Sequence, residues 1–269
     1  MRHLRIDRPG DRAEAARRIA AGAMIATAFG NFYALVAEPS PDSLRRVNHA
    51  KGRPADQVGS VTTTPERLSL MFDWQRLPPG ADTAALHALM AELTALGPIG
   101  FRGPAAGTLP PHLTQAATSQ VVVPGTRCPS NAFFAEAMDE LGTDHLYITS
   151  ANRSRHLTGR DEEPAHWTAV GIAADFAHLD DFTVLAHADE QAARALHPRH
   201  LPMSVTLASF HGAPGVLTVE RHGSLHVDDV RDIAARHGHT VELAASARHR
   251  LPLRTYVHPT GRGCGRITG

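Results

Sequence analysis

The chain lacks several things that would each fix a function class at once. It has only two cysteines in 269 residues, Cys128 and Cys264, too few for a disulfide framework. Charge of one sign is not in excess: 27 basic side chains balance 27 acidic ones, so no global field draws the protein to nucleic acid or to an anionic membrane. No apolar run approaches the roughly 20 residues that span a bilayer. The N-terminal Met1 to Arg8 lacks the apolar core of a signal peptide, and a cytoplasmic location is expected. There is no Gly-x-x-x-x-Gly-Lys-Ser/Thr loop and no Gly-x-Ser-x-Gly nucleophile elbow. Histidine is plentiful, with 18 residues, which makes net charge sensitive near pH 6 to 7. The pairs His222 and His226, His197 and His200, and His237 and His239 nevertheless have no third ligand at a familiar spacing, so no protein-held metal is expected.

What is present suits one α/β unit. The chain is 42% hydrophobic and 20% charged, and it is long enough to bury a sizeable core. Asp11 to Ala21 reads as an amphipathic helix stopped by Gly22, followed by a strand from Ala23 to Thr27. Asp42 is expected to cap a helix that delivers Lys51 and Arg53 at its exit. Asp82 caps a further helix that runs to Leu96 before Gly97, and Asn131 to Leu141 forms another, with Gly142 as its C-cap. The β-branched run Val121-Val122-Val123 and the segments His145 to Thr149, Phe182 to Leu185, Ser204 to Ala208 and Val216 to Arg221 read as strands. A helix over Val227 to Ala235 and a short strand over Thr240 to Leu243 complete the pattern. Alternating strands and helices predict a mixed sheet with ligand-binding loops at strand ends.

Two stretches carry chemistry. Tyr147 to Ser154, Tyr-Ile-Thr-Ser-Ala-Asn-Arg-Ser, runs from an apolar strand end into hydroxyl and amide groups that suit a ligand. About a hundred residues earlier, Lys51-Gly52-Arg53-Pro54 offers an ammonium and a guanidinium for phosphate or carboxylate oxygens. If that segment is extended, the i, i+2 spacing points both cations to one side. Taken singly, the first stretch also fits an ordinary turn and the second a solvated surface pair. Cys128 has no base partner in its motif and reads as a small core residue.

Taken in order, the pieces are more specific. Gly22 to Thr27 leads into Tyr33-Ala34-Leu35, then come Lys51-Gly52-Arg53-Pro54, Leu96-Gly97-Pro98, Arg127-Cys128-Pro129, Thr149-Ser150-Ala151-Asn152, Ser204-Val205-Thr206 and Arg221-His222-Gly223. This order resembles the YrdC-like family, which includes threonylcarbamoyl-adenylate synthases. The resemblance implies a twisted mixed sheet with helices packed around a concave nucleotide-binding cleft. It spans residues 1–230, with 231–258 as a helix and strand extension of the same unit and 259–269 as a Gly-rich tail.

The resemblance further implies roles. Lys51 and Arg53 would act on the reacting phosphate and carboxylate, and Ser150, Asn152, Ser204 and Arg221 would complete the nucleotide site, with Thr206 a weaker member. Phe29, Asn31, Phe32, Tyr33 and Arg127 would face the acceptor. One departure stands out: synthases of the family carry Pro-Thr-Asp-Thr where this chain has Ala28-Phe29-Gly30-Asn31. Losing two hydroxyls and a carboxylate argues against unchanged threonine specificity, since a pocket rejects or accepts hydroxyls by the buried groups it must pair. The expected reaction joins ATP, bicarbonate and an amine or amino acid into an N-carbamoyl-AMP and pyrophosphate, with magnesium brought by the ATP phosphates. Two other functions fit the same resemblance. One is a non-catalytic module for double-stranded RNA, using Arg45, Arg46, Lys51, Arg53, Arg153 and Arg155; the other is a carbamoyl transferase that consumes carbamoyl adenylate.

Overall fold

The computed structural model describes residues 1–154, 157, 166–201 and 203–250. Arg155, Cys264, residues 251–258 of the proposed extension and the tail 259–269 lie outside the described residues.

Among the described residues eleven strands share one sheet: Arg2–Arg5 (β1), Ile25–Phe29 (β2), Phe32–Ala37 (β3), Ser60–Thr62 (β4), Ile99–Pro104 (β5), Thr118–Val123 (β6), Leu146–Ser150 (β7), Thr183–Ala186 (β8), Leu207–Ser209 (β9), Val216–Arg221 (β10) and Thr240–Leu243 (β11). Their spatial order is β1-β8-β2-β3-β7-β4-β6-β5-β9-β10-β11, with parallel and antiparallel neighbours mixed. Eight α-helices accompany them among the described residues: Pro9–Ala20 (α1), Pro41–Lys51 (α2), Thr83–Leu96 (α3), Ser130–Leu141 (α4), Ala169–Asp175 (α5), Glu190–Ala195 (α6), Val227–Arg236 (α7) and Ala245–Arg250 (α8).

Local chemistry explains the boundaries. Asp82 accepts from Ala85 N at 3.0 Å, which starts α3 where the sequence places its cap. Gly142 ends α4 in the left-handed conformation, φ 63°. The cap of α2 differs from expectation. Pro41 occupies the first helical turn, where its missing N–H costs nothing, so the capping position moves back to Ser40, whose hydroxyl accepts from Ser43 N. Asp42 instead pairs with Arg45 on the outer face. The strand expected from Ser204 starts later, at Leu207. Buried Thr206 uses its hydroxyl to accept from Gly223 N (3.0 Å) and Leu225 N (3.1 Å) and to donate to Leu225 O (2.6 Å), while its backbone carbonyl accepts from Gly100 N at 2.9 Å. The central strands β2 and β3 are buried along their whole length, as both faces of the sheet are covered there. Ala15, Ala16 and Ile19 of α1 are fully buried, and α1 packs along α4.

Candidate functional site

Side-chain alternation places one row of polar groups on one sheet face. In β6, Thr118, Gln120 and Val122 point the same way, and the register carries that face across Arg102 of β5, Ser60 of β4, Ile148 and Ser150 of β7, and Ala34 of β3. Above them lies a cleft of about 220 Å³ lined by Arg53, Ser150, Ser204, Arg102 and Arg221 along with Phe32 and Thr149. From β7 to β10 the cleft crosses five strand spacings, about 24 Å on a flat sheet.

The Lys51 to Arg53 segment is not extended. Lys51 is the last residue of α2, and Gly52 turns the chain in the left-handed region at φ 65°, a conformation glycine adopts without a Cβ penalty. The two cations therefore part. Arg53 reaches the cleft, where Nη1 donates to Thr149 Oγ1 at 2.8 Å, and burial draws its pKa below the ordinary guanidinium value. Lys51 goes inward. It is fully buried, its Nζ donates to the carbonyl of Ser150, and Ser154 N donates back to Lys51 O at 2.9 Å. Burial, with the nearby Arg53 charge adding to it, holds the lysine well below its usual pKa. The helix exit and the Thr149 to Ser154 stretch are thus stitched together, which brings the two chemistry-bearing stretches into one wall.

Ser150 lines the cleft and donates to Asn152 Oδ1, while Asn152 Nδ2 donates to Arg153 O at 3.0 Å. Asn152 itself is outside the cleft lining. Arg221 lines the far end and donates through Nε to Val205 O at 2.9 Å. Of the residues expected to face the acceptor, Phe32 alone lines the cleft. Phe29 is fully buried against the rings of Phe32 and Phe134. Tyr33 is buried and donates to Glu190 Oε1 at 2.6 Å; burial and that carboxylate push its pKa up. Asn31 donates to Leu201 O. Arg127 donates to Leu196 O at 3.1 Å on an exposed edge. Beside the Gly30-Asn31 turn, His197 and His200 crowd Gly97 and are 2% and 7% exposed. Burial lowers their pKa values to about 4 and about 3. Arg45 and Arg46 sit on α2, paired with Asp42 and with Glu38 and Gly22 O respectively.

The floor of the cleft holds residues to which the sequence assigned no role. Arg102 Nε donates to Glu220 Oε2 at 2.8 Å, Nη2 to Gln120 Oε1 at 2.8 Å and Nη1 to Thr118 Oγ1 at 3.4 Å, while Gln120 Nε2 donates to Ser60 Oγ at 2.6 Å. The visible signal was the polar alternation Thr118, Gln120 just before the apolar run. A register shift between Val219 and Arg221 lets neighbouring residues of β10 both serve this side, Glu220 through Arg102 and Arg221 directly. Among the described residues no group of three or more His, Cys, Asp or Glu side chains is suited to a metal ion, and no helix is long and apolar enough to cross a membrane.

This fold is one already seen in solved structures. A double variant of P. abyssi Sua5 superposes with a TM-score of 0.67 at 17% identity, covering 91% of this chain and 62% of that one. P. abyssi Sua5 complexed with L-threonine gives 0.65 at 18% identity, and E. coli YciO gives 0.56 at 17% identity over 82% of this chain and 94% of its own. Full-length HypF in its phosphate- and nucleotide-bound form gives 0.52 at 15% identity, with 78% of this chain and 28% of HypF covered. The chain therefore has the YrdC-like fold of Sua5 and YciO. It spans about 62% of the length of the Sua5 structures it matches. No protein-family model matches the sequence, and no curated protein sequence does.

Proposed function

We propose that the protein forms or uses a carbamoyl-type adenylate in the floor cleft. The observation that supports this most directly is the meeting of Arg53 and Arg221 with Ser150 and Ser204 around one cavity, although these segments are far apart in sequence. In the reaction, an acceptor amine and bicarbonate give a carbamate and water; a carbamate oxygen then attacks the α-phosphorus of ATP and pyrophosphate leaves. No covalent nucleophile is needed, so the protein's contribution is positioning and charge stabilisation. Arg53 would meet the charge that builds at phosphorus, and Ser150 and Ser204 would orient the adenylate. Magnesium would arrive on the ATP phosphates rather than in a protein cage, since no Asp or Glu is among the described residues that line the cleft.

Support also comes from the neighbours: Sua5 with L-threonine and HypF with phosphate and nucleotide share the fold that holds this cleft. Threonine is not the proposed acceptor, because Ala28 to Asn31 replaces the hydroxyl-rich run with buried, mostly apolar side chains. The test is pyrophosphate release from ATP with bicarbonate and a panel of amines and amino acids. Arg53→Met should lower kcat/KM about 100-fold, the usual scale for losing one charge-stabilising group. No pyrophosphate with any acceptor, beside an active control synthase, would refute the proposal.

A further inference from the structure

We infer that His197 and His200 form a proton-sensitive pin behind the cleft: when the pair takes up protons, segment 204–206 leaves its neighbours and the cleft loses that part of its wall. This segment brings Ser204 and Val205 to the cleft lining, and it lies outside every strand of the sheet. Single bonds hold it instead. Ser224 N donates to Ser204 O, Arg221 Nε to Val205 O and Gly100 N to Thr206 O, each at 2.9 Å, beside the three bonds of the Thr206 hydroxyl. The segment lies so close on Gly223 that a Cβ there would sit 2.2 Å from the Val205 carbonyl carbon. Just upstream, His200 bridges to Leu225, Leu201 N donates to Ser224 O at 3.0 Å, and Asn31 donates to Leu201 O. The pin and the segment therefore share one set of anchors.

The pin has no place for a charge. The two rings meet edge to face at 6.0 Å and press on Gly97, where a Cβ would lie 2.7 Å from His200 Cε1 and 2.9 Å from His197 Nδ1. The charged and titratable side chains that reach them oppose a further positive charge: Arg127 and His187 act on His197, and His197 and Arg199 act on His200. Acids nearby are engaged elsewhere, Asp229 with Arg199 at 2.6 Å and Glu190 with Tyr33. Cys128 accepts from Gly30 N, and burial raises its pKa, so the thiol stays neutral. On the Leu225 side, His222 Nε2 and His226 Nδ1 accept from Val227 N and Asp228 N at 3.1 Å each. The histidines that pair with a carboxylate among the described residues are His166, His226 and His237. The carbonyls of Leu96 and Pro98 favour a proton on the pin, and burial outweighs them. Water must reach the rings before they can charge, and that requires the shared anchors to break. The folded pKa values lie below the exposed one, so proton uptake drives opening, increasingly as pH falls below about 6.5.

Native-state hydrogen exchange of the whole chain tests this without any ligand, so the result stands apart from the adenylate proposal. At the Leu201, Ser224 and Gly100 amides, protection corrected for intrinsic exchange should fall about 70-fold from about pH 7.0 to about 5.5. That is about 8-fold for each imidazole that moves from its buried to its exposed pKa. Urea at about 1 M should leave these amides nearly unchanged while it speeds exchange in β2 and β3, because a local opening exposes little surface. His197→Gln or His200→Gln alone should cut the pH effect to about 8-fold, and both together to less than about 3-fold. Amides that answer urea as β2 and β3 do would overturn the inference, since the segment would then open only with the whole fold. Protection independent of pH, or an undiminished pH effect in a folded variant, would overturn it equally. The pH and urea comparisons need only the wild type, so they decide even where a variant fails to fold.

Discussion

Lys51 is the only lysine in the chain, and its burial makes a pH-dependent stability that can be isolated. In the unfolded chain its pKa is about 10.4. In the folded chain burial holds it well lower. Between those two values the unfolded state binds the extra proton, so folding stability rises with pH, by about 1.4 kcal/mol per unit where the folded lysine is neutral and the unfolded one charged. Lys51→Met keeps the chain length of the buried stem and removes the titration. It also removes one hydrogen bond to Ser150 O, a pH-independent cost near 1 kcal/mol, since that carbonyl still accepts from Asn152 N at 3.0 Å. Urea unfolding of wild type and Lys51→Met at about pH 8.0, about 8.75 and about 9.5 should show the wild type gaining on the variant as pH rises, by up to about 2 kcal/mol across the window. Titrations of tyrosine, cysteine and the N-terminal amine cancel in the difference. A difference that stays flat with pH would refute the argument, because it would mean that the lysine keeps its proton in the folded protein.

Two further outcomes follow from buried polar groups. Thr206→Val should cost about 3 kcal/mol in urea unfolding, because Gly223 N and Leu225 N both lose their acceptor in a buried site, and Thr206→Ser should restore most of it. His197 and His200 titrate in the opposite range: their folded pKa values, about 4 and about 3, lie below the unfolded value, so the unfolded chain takes up protons first and stability is lost as pH falls through about 6.5. From pH 7 to about 5 the pair should cost on the order of 4 kcal/mol, and His197→Gln with His200→Gln should flatten that loss.

Much of the sheet was legible because its signals are local. Asp82 and Gly142 mark helix ends by side-chain and φ requirements that any sequence states openly, and Val216 to Arg221 and Thr240 to Leu243 match β10 and β11 residue for residue. Short or glycine-broken strands were not. β4 has three residues, and β5 contains Gly100 and Gly103 and ends at Pro104, which by propensity reads as a loop; its place is set by β6 and β9 on either side. In the site, Arg53 and Ser150 line one cleft, and the separation of Lys51 from Arg53 depends on the backbone angle at Gly52, which spacing does not reveal. The Arg102 network was hidden for a different reason: Ser60, Gln120, Arg102 and Glu220 form no motif in sequence and become neighbours only through strand order.

That ordering has a consequence for assembly. The wall bearing Arg53 and Ser150 can form from the first 154 residues, but β9, with Ser204 just before it, and β10, with Glu220 and Arg221, are added to the exposed edge of β5 only after a further fifty or more residues have been made. A nascent chain released early would hold half a cavity and an unpaired strand edge. If the adenylate proposal holds, a bound nucleotide would act as a clasp between a segment made early and one made later.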